Sequence, residues 1–254
     1  MEKYLSKVVG HAFVLGGSGG IGSEIVRALV ANGASAVTFT YNSNRQAAEL
    51  LKKEIERQGV KVYIAAVDQL NETALSEFLS AAVEYTGQEV TVAVNSIGIS
   101  PNTPLEEQTL EEWQRVFEVN LHGSFISTRA IANRMKAKRV SGSIVLVTST
   151  NGVNSQSQIS AHYDSSKAAQ AHMMRTIAEY YAKFGIRING VAPGWINTDL
   201  NDSLPADERA NEMKKIWCGR FAEPAEVAAF VAFIVGSGGS YIYGQNLMID
   251  GGYR

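Results

Sequence analysis

A tyrosine and a lysine stand four residues apart in Tyr163-Asp-Ser-Ser-Lys167. On a helix this spacing places both side chains on one face, one turn apart. A free tyrosine titrates near pH ~10, too high for acid–base work near neutrality. An ammonium group close by favours the phenolate and lowers that value. Such a pair can pass a proton to a carbonyl oxygen, or take one from an alcohol, while a hydride moves to or from the carbon. By itself the pair is also a common decoration of a helix surface, so its weight depends on what surrounds it.

The second candidate is a glycine turn, Gly16-Gly17-Ser18-Gly19-Gly20-Ile21-Gly22, between an apolar run and an amphipathic one. A pyrophosphate reaches the amides of a helix N-terminus only where the chain turns tightly and side chains are missing. The turn reads as G-x-G-x-x-G from Gly17 or as G-x-x-x-G-x-G from Gly16. In many dinucleotide sites an acid at the end of the second strand binds the ribose 2′-hydroxyl. Here that position reads Thr40-Tyr41-Asn42-Ser43-Asn44-Arg45, with no carboxylate to repel a 2′-phosphate. Tyr41, Asn42 and Ser43 offer hydroxyl and amide groups, and Arg45 a guanidinium. NADP(H) is therefore favoured over NAD(H). Arg45 reads equally well as a solvated first-turn helix residue.

Elements that position these groups follow from the hydrophobic pattern. Short runs rich in valine and isoleucine at residues 12–15, 36–41, 61–67, 90–94, 143–147, 187–191 and 246–249 read as strands. Amphipathic stretches at 21–32, 45–58, 72–85, 110–138, 163–184 and 223–235 read as helices. This alternation predicts an α/β fold, a doubly wound parallel sheet of about seven strands with helices on both faces. No linker or repeat interrupts it, so residues 1–254 read as one NAD(P)-binding domain. The stretch 197–212, with Pro205, is the least regular and reads as a lid or as a surface excursion.

Bulk composition excludes several classes. The net charge of −2 and the lack of a basic block exclude a nucleic-acid partner. No stretch approaches the roughly 20 apolar residues of a membrane span, and residues 1–7 do not resemble a secretory leader. One cysteine, Cys218, permits no internal disulfide; it reads as a small helix residue in a reducing, cytoplasmic setting. His11, His122, His162 and His172 lack ligand spacing, so no metal site is expected. His162, next to Tyr163, reads as a loop residue or as part of the pocket lining, the loop residue being preferred. No G-x-S-x-G elbow suggests a hydrolase.

Six elements in order resemble the short-chain dehydrogenases/reductases: Gly16-x-x-x-Gly20-x-Gly22, Asn95-Ser96-Ile97-Gly98, Asn120, Ser149, Tyr163-x-x-x-Lys167 and Pro193-Gly194. The tail Gly244–Gly252 resembles that family's C-terminal signature, so the likeness covers nearly the whole chain. Leu15, Ser96 and Ile97 depart from the usual Thr, Asn and Ala, and Gly19 stands where many NADP-dependent members carry a base. Within the family the chain is most similar to 3-oxoacyl-[acyl-carrier-protein] reductases.

The resemblance implies a Rossmann-type fold and a set of roles. Tyr163 would be the acid/base, and Lys167 would lower its pKa and hold the nicotinamide ribose. Asn120 would bend its helix and hold a water linked to Lys167. The substrate-binding hydroxyl is Ser149 when counted forward from the fifth strand, and Thr150 when counted back from Tyr163; Ser149 is preferred. The cofactor would meet Gly16, Ser18, Gly20, Ile21, Gly22, Asp68, Asn95, Gly98, Pro193, Gly194, Ile196 and Thr198. Asp68 also reads as a helix N-cap. Trp195 and Trp217 would wall the site or pack beside it.

The expected reaction is reduction of a small carbonyl compound by NADPH, with a 3-oxoacyl thioester as one candidate. Arg139 matches one base expected to dock acyl carrier protein, but Phe184, beside Lys183, stands where the other is expected. Oxidation of a sugar or another secondary alcohol is the alternative, and a non-catalytic NADP-binding sensor or scaffold is a third reading. The resemblance also implies a homotetramer or homodimer.

Overall fold

The computed structural model describes residues 7–198, 201 and 204–253. Seven parallel strands form one sheet in the order β3-β2-β1-β4-β5-β6-β7. They are β1 (Gly10–Leu15), β2 (Ala34–Tyr41), β3 (Lys61–Ala66), β4 (Val90–Asn95), β5 (Gly142–Val147), β6 (Ile186–Pro193) and β7 (Asn246–Ile249). The helices are α1 (Gly20–Ala31), α2 (Arg45–Glu56), α3 (Glu72–Thr86), α4 (Leu110–Phe117), α5 (Gly123–Lys138), α6 (Ala161–Ala182), α7 (Ala206–Lys215) and α8 (Pro224–Val235).

Strand alternation separates two cores. Ala12 and Val14 of β1 face one way and pack with Ile25, Leu29, Leu51 and Val231 from α1, α2 and α8. Phe13 and Leu15 face the other way and meet Leu75, Phe78, Ile131 and Met174 from α3, α5 and α6. A sheet covered on both faces explains why its strands are continuous apolar runs rather than alternating ones. The strand order reverses between β1 and β4, which opens a crevice at their C-terminal ends. The glycine turn after β1 and Gly98 after β4 both lie at that crevice.

Two helical readings are corrected. The expected helix 110–138 is broken: α4 passes into a wider π segment, Glu118–His122, before α5 begins. A π turn keeps the helix continuous, so its sign in the polar–apolar pattern is only a one-residue shift of phase. The expected irregular stretch 197–212 instead runs into α7 from residue 206, and that helix continues to 215. That helix buries none of its residues, so it lacks the apolar stripe by which a helix is recognised. Residues 199, 200, 202 and 203 of that stretch lie outside the described residues, as do residues 1–6 of the N-terminus. Cys218 is exposed in a turn after α7, not in a helix.

At the end of α5, Arg139 adopts a left-handed conformation (φ 55°), which a glycine would adopt with less strain. Among the described residues no helix is long and apolar enough to cross a membrane.

Candidate active site

The C-terminal ends of β4, β5 and β6 and the start of α6 surround a cleft of about 240 Å³. Tyr163 lies in the first turn of α6, two residues further into the helix than the pattern suggested. Lys167 follows one turn later, and both line the cleft. Ser149, just past β5, hydrogen-bonds the Tyr163 phenol. Thr150 is turned away: its hydroxyl donates to the Pro193 carbonyl at 3.2 Å. Of the two hydroxyls left open by the sequence, Ser149 is the one that faces Tyr163.

The electrostatics differ from expectation. Burial pushes the Tyr163 phenol above its ordinary value; the Ser149 bond opposes this and the Asp164 carboxylate adds to it. Burial brings the Lys167 ammonium down to about 7. Its Nζ lies 5.7 Å from the centre of the Tyr163 ring and is bonded elsewhere, to the Val147 carbonyl at 2.9 Å and Gln170 Oε1 at 3.1 Å. Lys167 therefore does not lower Tyr163 in this arrangement, because both groups carry a desolvation cost that favours their neutral forms.

Asn120 is fully buried in the π segment. Its amide donates to the Ile99 carbonyl at 2.9 Å and to Ser166 Oγ at 3.0 Å, and its Oδ1 accepts from the Ile99 amide at 2.9 Å. It thereby ties the turn after β4 to α6. Asn120 lies in the π segment, where the resemblance led us to expect a bend.

His162 is not a loop residue. It is fully buried at the start of α6, accepts the Tyr163 amide on Nδ1 at 2.7 Å and meets Glu112 Oε1 through Nε2 at 2.7 Å. The first bond fixes the tautomer: Nδ1 must be bare, so Nε2 carries the proton and donates to Glu112. It also satisfies one of the free amides of the α6 N-terminus, which has no side-chain cap. Beside it, Asp164 gathers the loop over the cleft, accepting from Asn151, Ser157 and Ser160.

The glycine turn fits a dinucleotide. Gly16 has φ +76°, and a Cβ on Gly22 would fall 2.1 Å from the Gly16 carbonyl oxygen. The N-cap of α1 is Gly19, and neither a capping side chain nor an acid occupies its first turn, so its amides face an anion site unblocked. Gly20 borders the Thr198 side chain, which brings the turn beside the cleft. Ile21, Gly98, Pro193, Gly194, Ile196 and Thr198 line that cleft. A Cβ on Gly98 would lie 3.2 Å from Lys167 Nζ, so this backbone leaves room at the lysine that a side chain would fill.

The outer part of the expected cofactor site is less committed. Tyr41 ends β2, and Asn42 and Ser43 are exposed beyond it. Arg45 is exposed and lies 3.7 Å from Glu49, the solvated helix residue of the second reading. Ser18 is half-buried within the glycine turn. Asp68 is exposed and accepts from the Leu70 amide at 3.0 Å; the N-cap of α3 is Asn71. Asn95 is buried and donates to Gln69 and Ser127, so its side chain serves the scaffold.

Sequence reasoning passed over Gln69, Ser124, Gln170, Thr40 and Glu112. Thr40 anchors the glycine turn by accepting the Gly16 amide at 3.0 Å. Of these only Gln170 had a local signal, since it follows Lys167 by three residues on the same helix face. Trp195 stacks on Phe221 and donates to Glu212, which also accepts from Tyr253 at 2.5 Å; Glu212 and Tyr253 both line the cleft. Trp217 is exposed.

Comparison with known proteins agrees with this geometry. A family model described as Enoyl-(Acyl carrier protein) reductase matches residues 16–254. Glucose 1-dehydrogenase 2 of Bacillus subtilis (strain 168) is 32% identical, over 95% of this chain and 93% of its own. A 3-oxoacyl-[acyl-carrier-protein] reductase of Synechocystis sp. is 33% identical, over 95% of each chain. Among solved structures, a short-chain dehydrogenase/reductase from Serratia marcescens superposes with a TM-score of 0.86 at 31% identity, over 95% of this chain and 96% of that one. A 7α-hydroxysteroid dehydrogenase complexed with NADH and 7-oxo glycochenodeoxycholic acid reaches 0.91 at 27% identity, over 100% of this chain and 97% of the other.

Proposed function

The chain belongs to the short-chain dehydrogenases/reductases and is an oxidoreductase of CH–OH and C=O groups, and from that premise we propose that its substrate is a small, hydroxyl-bearing ketone or the corresponding alcohol, with NADP(H) as cofactor. The observation that carries this reading is the cleft wall. Besides Tyr163 and Ser149 it includes Ser100, Asn102, Gln156 and Ser157, while Asn151 and Ser155 in the same wall are already bonded to Asp164 and to each other. The hydroxyl and amide groups left over suit a substrate with several hydroxyls better than an alkyl chain, because each must find a partner when water leaves. The Bacillus relative is named for a polyhydroxylated substrate, glucose, which supports a hydroxyl-rich ligand.

In this reading the amides of the glycine turn at the α1 N-terminus would hold the pyrophosphate of the dinucleotide, and Ile196, Thr198 and Lys167 would hold its nicotinamide half. When bound it supplies or accepts the hydride. Ser149 and Tyr163 hold the substrate oxygen, and Tyr163 gives its phenolic proton to that oxygen as the carbonyl is reduced. Lys167 holds the nicotinamide ribose and, when charged, favours the phenolate left on Tyr163. Asn120 fixes the turn after β4 against α6. Asn42 and Ser43, with no carboxylate beside them, accept a 2′-phosphate.

A second reading, reduction of a 3-oxoacyl thioester on acyl carrier protein, is favoured by one surface. Lys136 and Lys183 both lie over the Phe184 ring, at 4.5 and 5.3 Å, so cations stand beside the place where a docking base was expected. We further propose one cytoplasmic domain assembled as a homodimer or homotetramer; exposed Phe233, Tyr243 and Met248 on and around α8 and β7 support a subunit contact.

The deciding experiment is titration with NADPH and NADH by tryptophan quenching. A turnover screen against ketoses, polyols and acetoacetyl thioesters, read by nicotinamide absorbance, follows. Turnover of ketoses or polyols supports the first reading, and turnover confined to thioesters replaces it with the second. NADPH binding without turnover on any panel member sinks both in favour of a nucleotide sensor.

A further inference from the structure

Lys167 is almost completely buried, and its ammonium has three hydrogens to place. Two are placed within the protein, on the Val147 carbonyl and on Gln170 Oε1. Nothing about an amide side chain by itself decides whether its oxygen or its nitrogen faces a lysine. Here the decision is made on a different helix. Ser124 of α5 donates its one hydroxyl hydrogen to the Asn120 carbonyl at 2.8 Å. Toward Gln170 it can therefore only accept, and Gln170 Nε2 donates to it at 2.7 Å. That pins the nitrogen on Ser124 and turns the oxygen to Lys167. Ser124, Asn120 and Gln170 are all fully buried, so water does not compete for these bonds.

We propose that Gln170 is a positioning residue for Lys167: with its amide oriented by Ser124 and the Asn120 carbonyl, it supplies the acceptor that keeps the ammonium charged and aimed past Gly98 into the cleft. The catalytic part of this inference rests on the role given to Lys167 above; the hydrogen-bond part does not. The acceptor opposes the burial that brings Lys167 down to about 7. The charged group nearest in chain, Asp164, is spent on the loop over the cleft; on its own helix the lysine faces the Tyr163 ring at 5.7 Å, from β5 it meets the Val147 carbonyl, and neutral Asn120 stands near Gly98 as it does.

The test reads Lys167 directly, by following its ¹³Cε resonance through a pH titration of the intact protein, with Lys167→Met identifying the signal. In Gln170→Met, which keeps the volume and removes the acceptor, the midpoint falls by about one pH unit. In Gln170→Glu it rises above wild type, because a carboxylate replaces the amide oxygen. If Gln170 merely filled space, both variants would leave the midpoint in place, and that result overturns the proposal. Should Gln170→Met fail to fold, Ser124→Ala decides: freeing the amide to rotate lowers the midpoint in the same direction, and an unmoved midpoint again overturns it. Turnover is measured in parallel. Midpoint shifts in a protein that turns over no carbonyl substrate would sink the functional reading and leave the Gln170 assignment standing.

Discussion

Glu112 on α4 and His162 on α6 meet at 2.7 Å, and the same imidazole holds the Tyr163 amide with its other nitrogen. The pair links the position of the tyrosine to a helix that contributes nothing else to the acid–base chemistry. The Trp113 ring lies beside the imidazole, with the ring centres 6.0 Å apart. Replacing Glu112 by Ala leaves a buried N–H without a partner, at a cost of about 1–3 kcal/mol. The expected outcome is a melting temperature lower by several degrees and a reduced turnover number. Nucleotide affinity should hold, since the glycine turn is untouched. Calorimetry with a nucleotide titration checks it, and an unchanged melting temperature would count against the pair.

The Ser149–Tyr163 contact predicts a division of labour between adjacent hydroxyls. Ser149→Ala should lower turnover by about 100-fold or more, and Tyr163→Phe by about 1,000-fold, with NADPH affinity nearly constant in both. Thr150→Val removes only the bond to the Pro193 carbonyl and should act on stability, by about 1 kcal/mol. Steady-state kinetics on the three variants distinguishes the two hydroxyls. A Thr150 variant as damaged in turnover as the Ser149 variant would reverse the assignment.

Asn42 is exposed, so a substitution there costs the fold little. Asn42→Asp sets a carboxylate where the 2′-phosphate would lie. NADPH affinity should fall by roughly tenfold or more while NADH affinity holds or improves. Parallel quenching titrations report the ratio, and an unchanged ratio would place the 2′-phosphate elsewhere.

Lys167 predicts a pH-dependent stability. Its folded value of about 7 lies below the 10.5 of an unperturbed lysine, so between those values the unfolded chain binds the extra proton. The native state thus carries the full cost of the buried charge below pH 7 and loses that cost as pH rises toward 10.5. Lys167→Met should raise the melting temperature by roughly 4 °C or more at pH ~6, with the gain shrinking steadily toward pH ~10. A gain independent of pH would mean that packing, not charge, is responsible.

The strands and most helices were legible because each buries a face, and burial writes a period into the sequence. Residues 246–249 were read to the residue, and other boundaries shifted by one or two. The π segment was missed because helical residues run through it and only a one-residue shift in the pattern of Leu110 to Lys138 marks it. So was α7, whose polar residues bury nothing. At the site, spacing made Tyr163, Lys167 and the glycine turn candidates, and the order of six motifs gave them their weight; the structure sets Tyr163 and Lys167 in one cleft. The choice between Ser149 and Thr150 depended on which way a strand end turns, and no count along the chain contains that. Glu112 and Ser124 were silent because their partners lie 50 and 46 residues away.

The π segment has one residue more than the helix needs. An insertion of one residue is the simplest origin of such a turn, and deletion of one residue between Glu118 and His122 would restore a plain α-helix while keeping the buried faces of α4 and α5 in phase. A chain shortened there should fold, with a straighter rod spanning 110–138. It would also swing Asn120 off Ile99 and Ser166 and set a different carbonyl four residues before Ser124. At this locus the length of the chain sets where the bonds of the Asn120 side chain fall.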